Sequence, residues 1–314
     1  MFYKMSIRKI LVSLCALFAM TLIYLIPKEE SFKQELEYTK ENLVFNDIYL
    51  IDSYNYVSLT DVVVSAEDTI SKAKELLSLL TIDGVLDSHI PSGFRAIIPS
   101  DTTILSLDLV DDVLKVNFSE HFLDINKESE DNLISSIVYT LTSLDGIDSV
   151  LLYVEGEILT QMPSGKYLPS ILDRSYGVNK VFDITGYNDV EAVNVYYVSK
   201  NEDDYYYVPV TKYVNDQRDK ISIVIDELTS MSTYNTNLLS FLNSNTKLLE
   251  ATNQDDILTL VFNNYIFDNL DESKILEEVI YTISLSVKDN YEVSDVVFVV
   301  NDTEIYKSVL KTLD

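Results

Sequence analysis

Cysteine is almost missing from this 314-residue chain: Cys15 stands alone, inside an apolar N-terminal stretch. No intrachain disulfide can form, so the fold does not depend on an oxidising compartment. A thiolate zinc site and a Cys–His nucleophile are excluded beyond that stretch, because only His89 and His121 occur there and they lie 32 residues apart. Glycine and proline number only 7 and 6, which argues against long flexible linkers and low-complexity disorder. Tryptophan is absent, yet 22 Tyr and 12 Phe supply aromatic material for a core. The chain contains no P-loop, G-x-G-x-x-G, G-x-S-x-G or H-E-x-x-H pattern, so neither a cofactor nor a catalytic role is expected.

Positive charge is the second scarcity. Residues 1–28 carry Lys4, Arg8, Lys9 and Lys28 with no acid, whereas the remainder carries 19 basic and 51 acidic residues. A surface of that sign cannot neutralise phosphates, which excludes nucleic acid as a partner. It also avoids anionic headgroups.

What is present begins with an anchor. Ile10 to Ile26 is uncharged, follows basic residues 1–9 and ends at Pro27 and a polar run. As a helix it spans about 25 Å, and flanking Lys and Arg can snorkel to complete the crossing. Charge asymmetry puts the N-terminus in the cytoplasm and the rest outside the cell membrane. A cleaved signal peptide and a lipidated Cys15 are the rival readings. The stretch is long for a signal core, no small-x-small site follows it, and Leu14 is too large to precede a lipidated cysteine. A single uncleaved transmembrane segment is therefore expected, with 27–46 as a polar stalk.

Beyond the stalk the sequence repeats itself. DDVLKVNFSEHFLD aligns without gaps to DDILTLVFNNYIFD, pairing Asp111 with Asp255, Asp112 with Asp256, Phe118 with Phe262 and Asp124 with Asp268. Upstream, YVSLTDVVV from Tyr56 matches YVPVTKYV from Tyr207. Downstream, IVYTLTSLDGIDSV matches VIYTISLSVKDNYEVSDV, with the longer helix-to-strand loop assigned to the second copy. Each copy reads as a strand (48–64, with a break at Ser53; 194–213), a helix (67–80; 217–230) and a hairpin turning at the Asp-Asp pair. A second helix (130–144) and a final apolar strand (150–154; 296–300) complete it. Ile70, Ala73, Leu76, Leu77 and Leu80 recur at helical spacing on the first helix. This strand-helix-strand-strand-helix-strand order predicts an α+β fold of two tandem two-layer modules, 47–163 and 191–314, joined by 164–190.

The segment IIPSDTTILSLDLVDDVLKVNFSEHFLD, the following SSIVYTLTSLDGIDSVLLYVEGE and the tail LPSILDRSYGVNKVFDIT resemble the GerM-domain family. The second copy departs from it by lacking the proline turn. The resemblance implies a membrane-attached protein of spore development and germination in Firmicutes, one that helps assemble or localise an envelope channel complex. It also implies a ring-building-motif-like fold. Family members are often lipoproteins, and this chain lacks a lipobox.

The candidate site residues follow from both readings. Asp111, Asp112, Phe118 and Asp124, with Asp255, Asp256, Phe262 and Asp268, define the family hairpin and are expected to be structural. Turn formation is favoured for the Asp pairs over weak calcium binding, because no D-x-D-x-D-G loop accompanies them. Tyr205 and Tyr207, in a run of three tyrosines, are the candidate interaction surface. The leading reading is a non-enzymatic scaffold touching envelope or membrane-complex proteins. The alternative is a cell-wall accessory protein that stacks these rings on peptidoglycan glycans.

Overall fold

In the computed structural model, which describes residues 14, 16–18, 20–21, 45–202, 204–230, 237–269 and 273–310, the run expected as a strand over 48–64 with a break at Ser53 is a hairpin that turns at that break. Its strands are β1 (Phe45–Asp52) and β2 (Val57–Val63). Asp52 makes the turn: one carboxylate oxygen accepts the backbone N–H groups of Tyr54 (2.8 Å) and Tyr56 (2.9 Å), and Asn55 takes a left-handed φ of 68°. A short polar side chain that bonds its own backbone is what such a turn requires. β1 is buried on both faces from Asn46 onward, so its sequence shows no alternation to read.

Helix α1 (Thr69–Leu79) starts where Asp68 accepts the N–H of Ser71 at 2.9 Å, and it buries Ala73, Leu76, Leu77 and Leu79. Ile70, expected on the same face, is 40% exposed. A two-residue strand β3 (Phe94–Arg95) pairs with the end of β1. Next come β4 (Ile104–Val110), β5 (Val113–Phe118), α2 (Glu130–Leu141), β6 (Ser149–Val154) and β7 (Glu157–Ile158). On β5, Leu114, Val116 and Phe118 are fully buried while Val113, Lys115 and Asn117 alternate with them, the half-buried pattern the sequence predicts.

After β8 (Val181–Asp183) the second copy repeats the plan. It runs β9 (Glu191–Asn201), β10 (Asp204–Val214), α3 (Lys220–Ser230), β11 (Leu248–Gln254), β12 (Ile257–Phe262), α4 (Glu277–Asn290), β13 (Asp295–Val300) and β14 (Thr303–Val309). Here too the expected single strand, 194–213, is a hairpin, with Glu202 at positive φ in its turn.

These hairpins correct the two-layer expectation. The first strands of each copy do not join the sheet that follows; three sheets result, ordered β4-β5-β6-β7, β11-β12-β13-β14 and β3-β1-β2-β10-β8 with β9 on the far side of β10. Both four-stranded sheets pair antiparallel, parallel, antiparallel. The second helix of each copy therefore lies between a hairpin and a four-stranded sheet and is enclosed on nearly all sides. That is why α2 buries Ser135, Ser136 and Thr140 as well as its aliphatic residues. Each copy has its own hydrophobic core, one centred on Leu76, Phe118 and Ile137, the other on Val224, Phe262 and Ile283.

One hydroxyl on each enclosed helix holds the neighbouring hairpin. The backbone N–H of Tyr49 on β1 donates to Thr140 Oγ1, and that of Tyr196 on β9 donates to Ser286 Oγ, both at 2.9 Å. Asn290 exchanges two hydrogen bonds with the backbone of Asn194. Helix side chains thus close the outer hairpin edges that would otherwise expose unpaired backbone groups. The equivalence of Thr140 with Ser286 also corrects the sequence alignment of the two helices by one helical turn. The extra residues of the second copy precede its helix, and its helix-to-strand loop (291–294) is shorter than that of the first (142–148).

Residues 1–42 form a unit separate from 43–314. Leu14, Ala16 to Phe18, Met20 and Thr21 are helical; the rest of the expected anchor 10–26 and most of the expected stalk lie outside the described residues. No helix among the described residues is long and apolar enough to cross a membrane.

The hairpin turns predict a stability effect. Asp111 and Asp112 have φ of 49° and 60°, and Asp255 and Asp256 have φ of 53° and 60°, a primed turn in which Asn-Gly is preferred. Asp111→Asn with Asp112→Gly is expected to raise stability by about 1 kcal/mol, read as a higher Tm. Added calcium is expected to leave the Tm of parent and variant unchanged.

Candidate interaction surfaces

The residues singled out by sequence fall into different places. The two Asp-Asp pairs sit at hairpin tips, where backbone carbonyls do further work: Asp112 O accepts Asp148 N–H, and Asp256 O accepts Ser294 N–H. Phe118 and Phe262 fill the two cores, Phe118 stacked on Phe122 at 4.4 Å. Asp124 accepts a hydrogen bond from His121 Nδ1 at 3.0 Å on an exposed surface. That bond is the main cause of a His121 pKa raised above the ordinary imidazole value. Asp268 pairs through its backbone N–H with Lys274 O. Among the described residues no group of three His, Cys, Asp or Glu side chains is arranged to hold a metal ion.

The tyrosine run divides by strand alternation. Tyr205 is 45% exposed, edge-on to Phe241 and under Lys200. Tyr206 points the other way and is buried, accepting from Ser199 and donating to Asp52 Oδ2 at 3.0 Å. Tyr207 shares the face of Tyr205 but is half-buried against Tyr281, with ring centroids 5.5 Å apart, and it pairs with Leu59 where β10 meets β2. Of the two expected surface rings, Tyr205 is exposed and Tyr207 is half-buried.

Sequence inspection gave no sign of the seam between the copies. There β2 and β10 are stitched together by Asn179, whose side-chain amide exchanges two hydrogen bonds with Val57 and donates a third to Pro209 O at 2.7 Å. At the other end of the seam the Arg174 guanidinium reaches Asp289 on α4, Thr142 after α2 and the carbonyl of Tyr139. Its plane lies near the rings of Tyr139 and Tyr49. Tyr196 donates to the second Asp289 oxygen at 2.9 Å, and the hydroxyls of Tyr49 and Tyr196 are 3.0 Å apart. Asp289 is 1% exposed and Arg174 21%. Burial is the largest influence and opposes the charge on Arg174, but Asp289 together with the phenols of Tyr49, Tyr196 and Tyr139 outweighs it, and the guanidinium stays protonated with its pKa above the ordinary value. Burial likewise pushes the phenols of Tyr49 and Tyr196 up, so both remain neutral hydrogen-bond donors. A cleft of about 790 Å³ opens beside this group, lined by Asp47, Lys72, Asp145, Arg174, Lys288 and Glu292 among others. The connecting segment is fixed a second time where Lys166, Lys180 and Tyr176 converge on Asp131 of α2.

Each four-stranded sheet keeps one face away from its core. On the first, Val113 and Lys115 of β5 lie beside Ser149 and Leu151 of β6; on the second, Ile257 and Thr259 of β12 lie beside Asp295 and Val297 of β13. Among the described residues the outer edges of β4, β11 and β14 pair with no further strand. By contrast β6 is covered by β7 and by a bridge to Leu172.

Known proteins resemble the chain over the same region. The family model described as Germane, sporulation and spore germination, matches residues 47–160 and 194–306. The spore germination protein GerM of Bacillus subtilis (strain 168) is 34% identical over 267 residues, 82% of this chain and 72% of that protein. The solved tandem GerMN domains of the sporulation protein GerM from Bacillus subtilis superpose with a TM-score of 0.74 at 33% identity, covering 82% of this chain and 91% of that one.

Two outcomes are expected from these geometries. Arg174→Met leaves Asp289 buried without its cation and costs about 3 kcal/mol, while adding Asp289→Leu recovers most of the loss; urea denaturation measures both. The raised His121 pKa adds stability that is complete below the unfolded value and is lost as pH rises through the folded value. Proton NMR titration is expected to find Asp124→Asn bringing the His121 pKa down.

Proposed function

The chain belongs to the Germane family of sporulation and spore germination proteins, and on that premise we propose that it works as a membrane-anchored extracytoplasmic scaffold. The uncharged run 10–26, with basic residues before it and acids after it, supports attachment with the two copies outside the membrane. The observation that carries the contact role is the combination, in each copy, of a four-stranded sheet with one face outside the core and an outer edge left unpaired. Faces and edges of that kind bind by packing and by strand addition. The acidic surface selects against phosphate polymers and favours partners that carry basic groups.

Within this reading the seam has a mechanical purpose. Arg174, Asn179 and Asp289 tie the two copies through side-chain and main-chain bonds, so both sheets are presented as parts of one body. The partners are envelope or membrane-complex proteins.

Crosslinking in cells followed by membrane solubilisation tests the proposal. The chain is expected to carry membrane-complex proteins with it, and Leu249→Pro on β11, an edge position 63% exposed, is expected to reduce that recovery while the chain remains folded. Sedimentation with purified peptidoglycan and no protein recovered would replace the scaffold with a wall-binding role.

A further inference from the structure

The outer face of β11–β14 has a composition its own core does not explain. Ile257 and Val261 on β12, Val297 and Val299 on β13 and Val309 on β14 alternate with the buried residues Leu258, Leu260, Val296 and Phe298. None of these five belongs to either hydrophobic core; Val309 is 43% exposed, Ile257, Val261 and Val299 are half-buried, and Val297 is buried at 8%. A solvated sheet face is normally polar. This one holds a cross-strand row in which Val261 and Val299 lie side by side between Glu250 and Glu304, while Asp295 separates Ile257 from Val309.

Its rim has one sign. Glu250 lies opposite Val261, Glu304 opposite Val299, Asp255 and Asp256 form the turn into β12, and Asp302 sits in the turn into β14. Lys307, the single cation among the residues of these four strands, lies within the face opposite Val297 and is committed to Asp295 at 3.3 Å. The valine pair with a glutamate at each side specifies what fits.

We propose that this face docks a cationic amphipathic helix of a partner protein, an assignment that rests on the contact role argued above. Four strands make a surface about 14 Å across, matched by one helix about 10 Å in diameter with its apolar stripe on the valine pair. Lysine or arginine flanking that stripe reaches the carboxylates on either side. The same rim repels anionic headgroups, and a second copy of a chain with net charge −28 brings like charge to like. An extended peptide would take the β14 or β11 edge rather than the face.

The test uses the full chain in zwitterionic nanodiscs and, as probe, a fluorescent helical peptide with leucine on one face flanked by lysine. Binding is expected, and Val261→Thr with Val299→Thr, which keeps strand propensity, is expected to weaken it about tenfold. Glu250→Gln with Glu304→Gln is expected to weaken it and to flatten its salt dependence. Val113→Thr on the other sheet is expected to leave it unchanged. Equal affinity for a lysine peptide of scrambled period, or unaltered binding by the double threonine variant, overturns the proposal. So does self-association through Val261, or recruitment of the chain to anionic vesicles. Cellular crosslinks that persist in the threonine variant sink this assignment and leave the scaffold reading standing; loss of all crosslinks in the parent chain sinks the reading itself.

Discussion

Burying the Arg174–Asp289 pair is the constraint around which the two copies are arranged. An ion pair shielded from water persists only when every remaining donor and acceptor is matched. Tyr49 and Tyr139 come from the first copy, Tyr196 and Asp289 from the second, and Arg174 from the segment between them. No one of the three parts can satisfy the group alone. The connecting segment, which in sequence resembles a linker, is therefore a structural member, and the copies meet in one orientation.

A related constraint acts inside each copy. Detaching the first hairpin from the four-stranded sheet encloses the second helix, and some of its buried polar side chains find partners on the hairpin, while the hydroxyls of Ser136 and Ser284 have none among the described residues. Thr140 and Ser286 find them on the outer edges of β1 and β9. The hairpin edges are closed by the same residues, while the four-stranded sheets keep theirs unpaired. Where the chain can be extended or covered by another molecule is thus decided by where its own helices have hydroxyls and amides to spare.

Much of the fold was legible. Alternation on β5 and β12 reads directly because one face of each strand is buried, and the Asp-Asp turns read because aspartate accepts left-handed backbone at little cost. The first hairpin read only as a break at Ser53 and the second read as one strand, since β1 is buried on both faces and carries no period. The repeat alignment slipped by one helical turn because IVYT and VIYT match as letters, and an amphipathic helix moved by a turn presents nearly the same face. Of the expected surface rings, Tyr205 is outward and Tyr207 is covered by Tyr281. Strand alternation puts both on one face but says nothing of a helix from the other end of the chain.

The sequence by itself determined the duplication, the mixed α+β character, the turns and the family, because each rests on local pattern or on residues near one another in the chain. Tertiary structure alone decided the seam, the closed and open strand edges and the aliphatic sheet face with its acidic rim. These depend on residues such as Arg174 and Asp289, 115 positions apart, whose meeting follows from how sheets and helices stack and leaves no trace in spacing or composition.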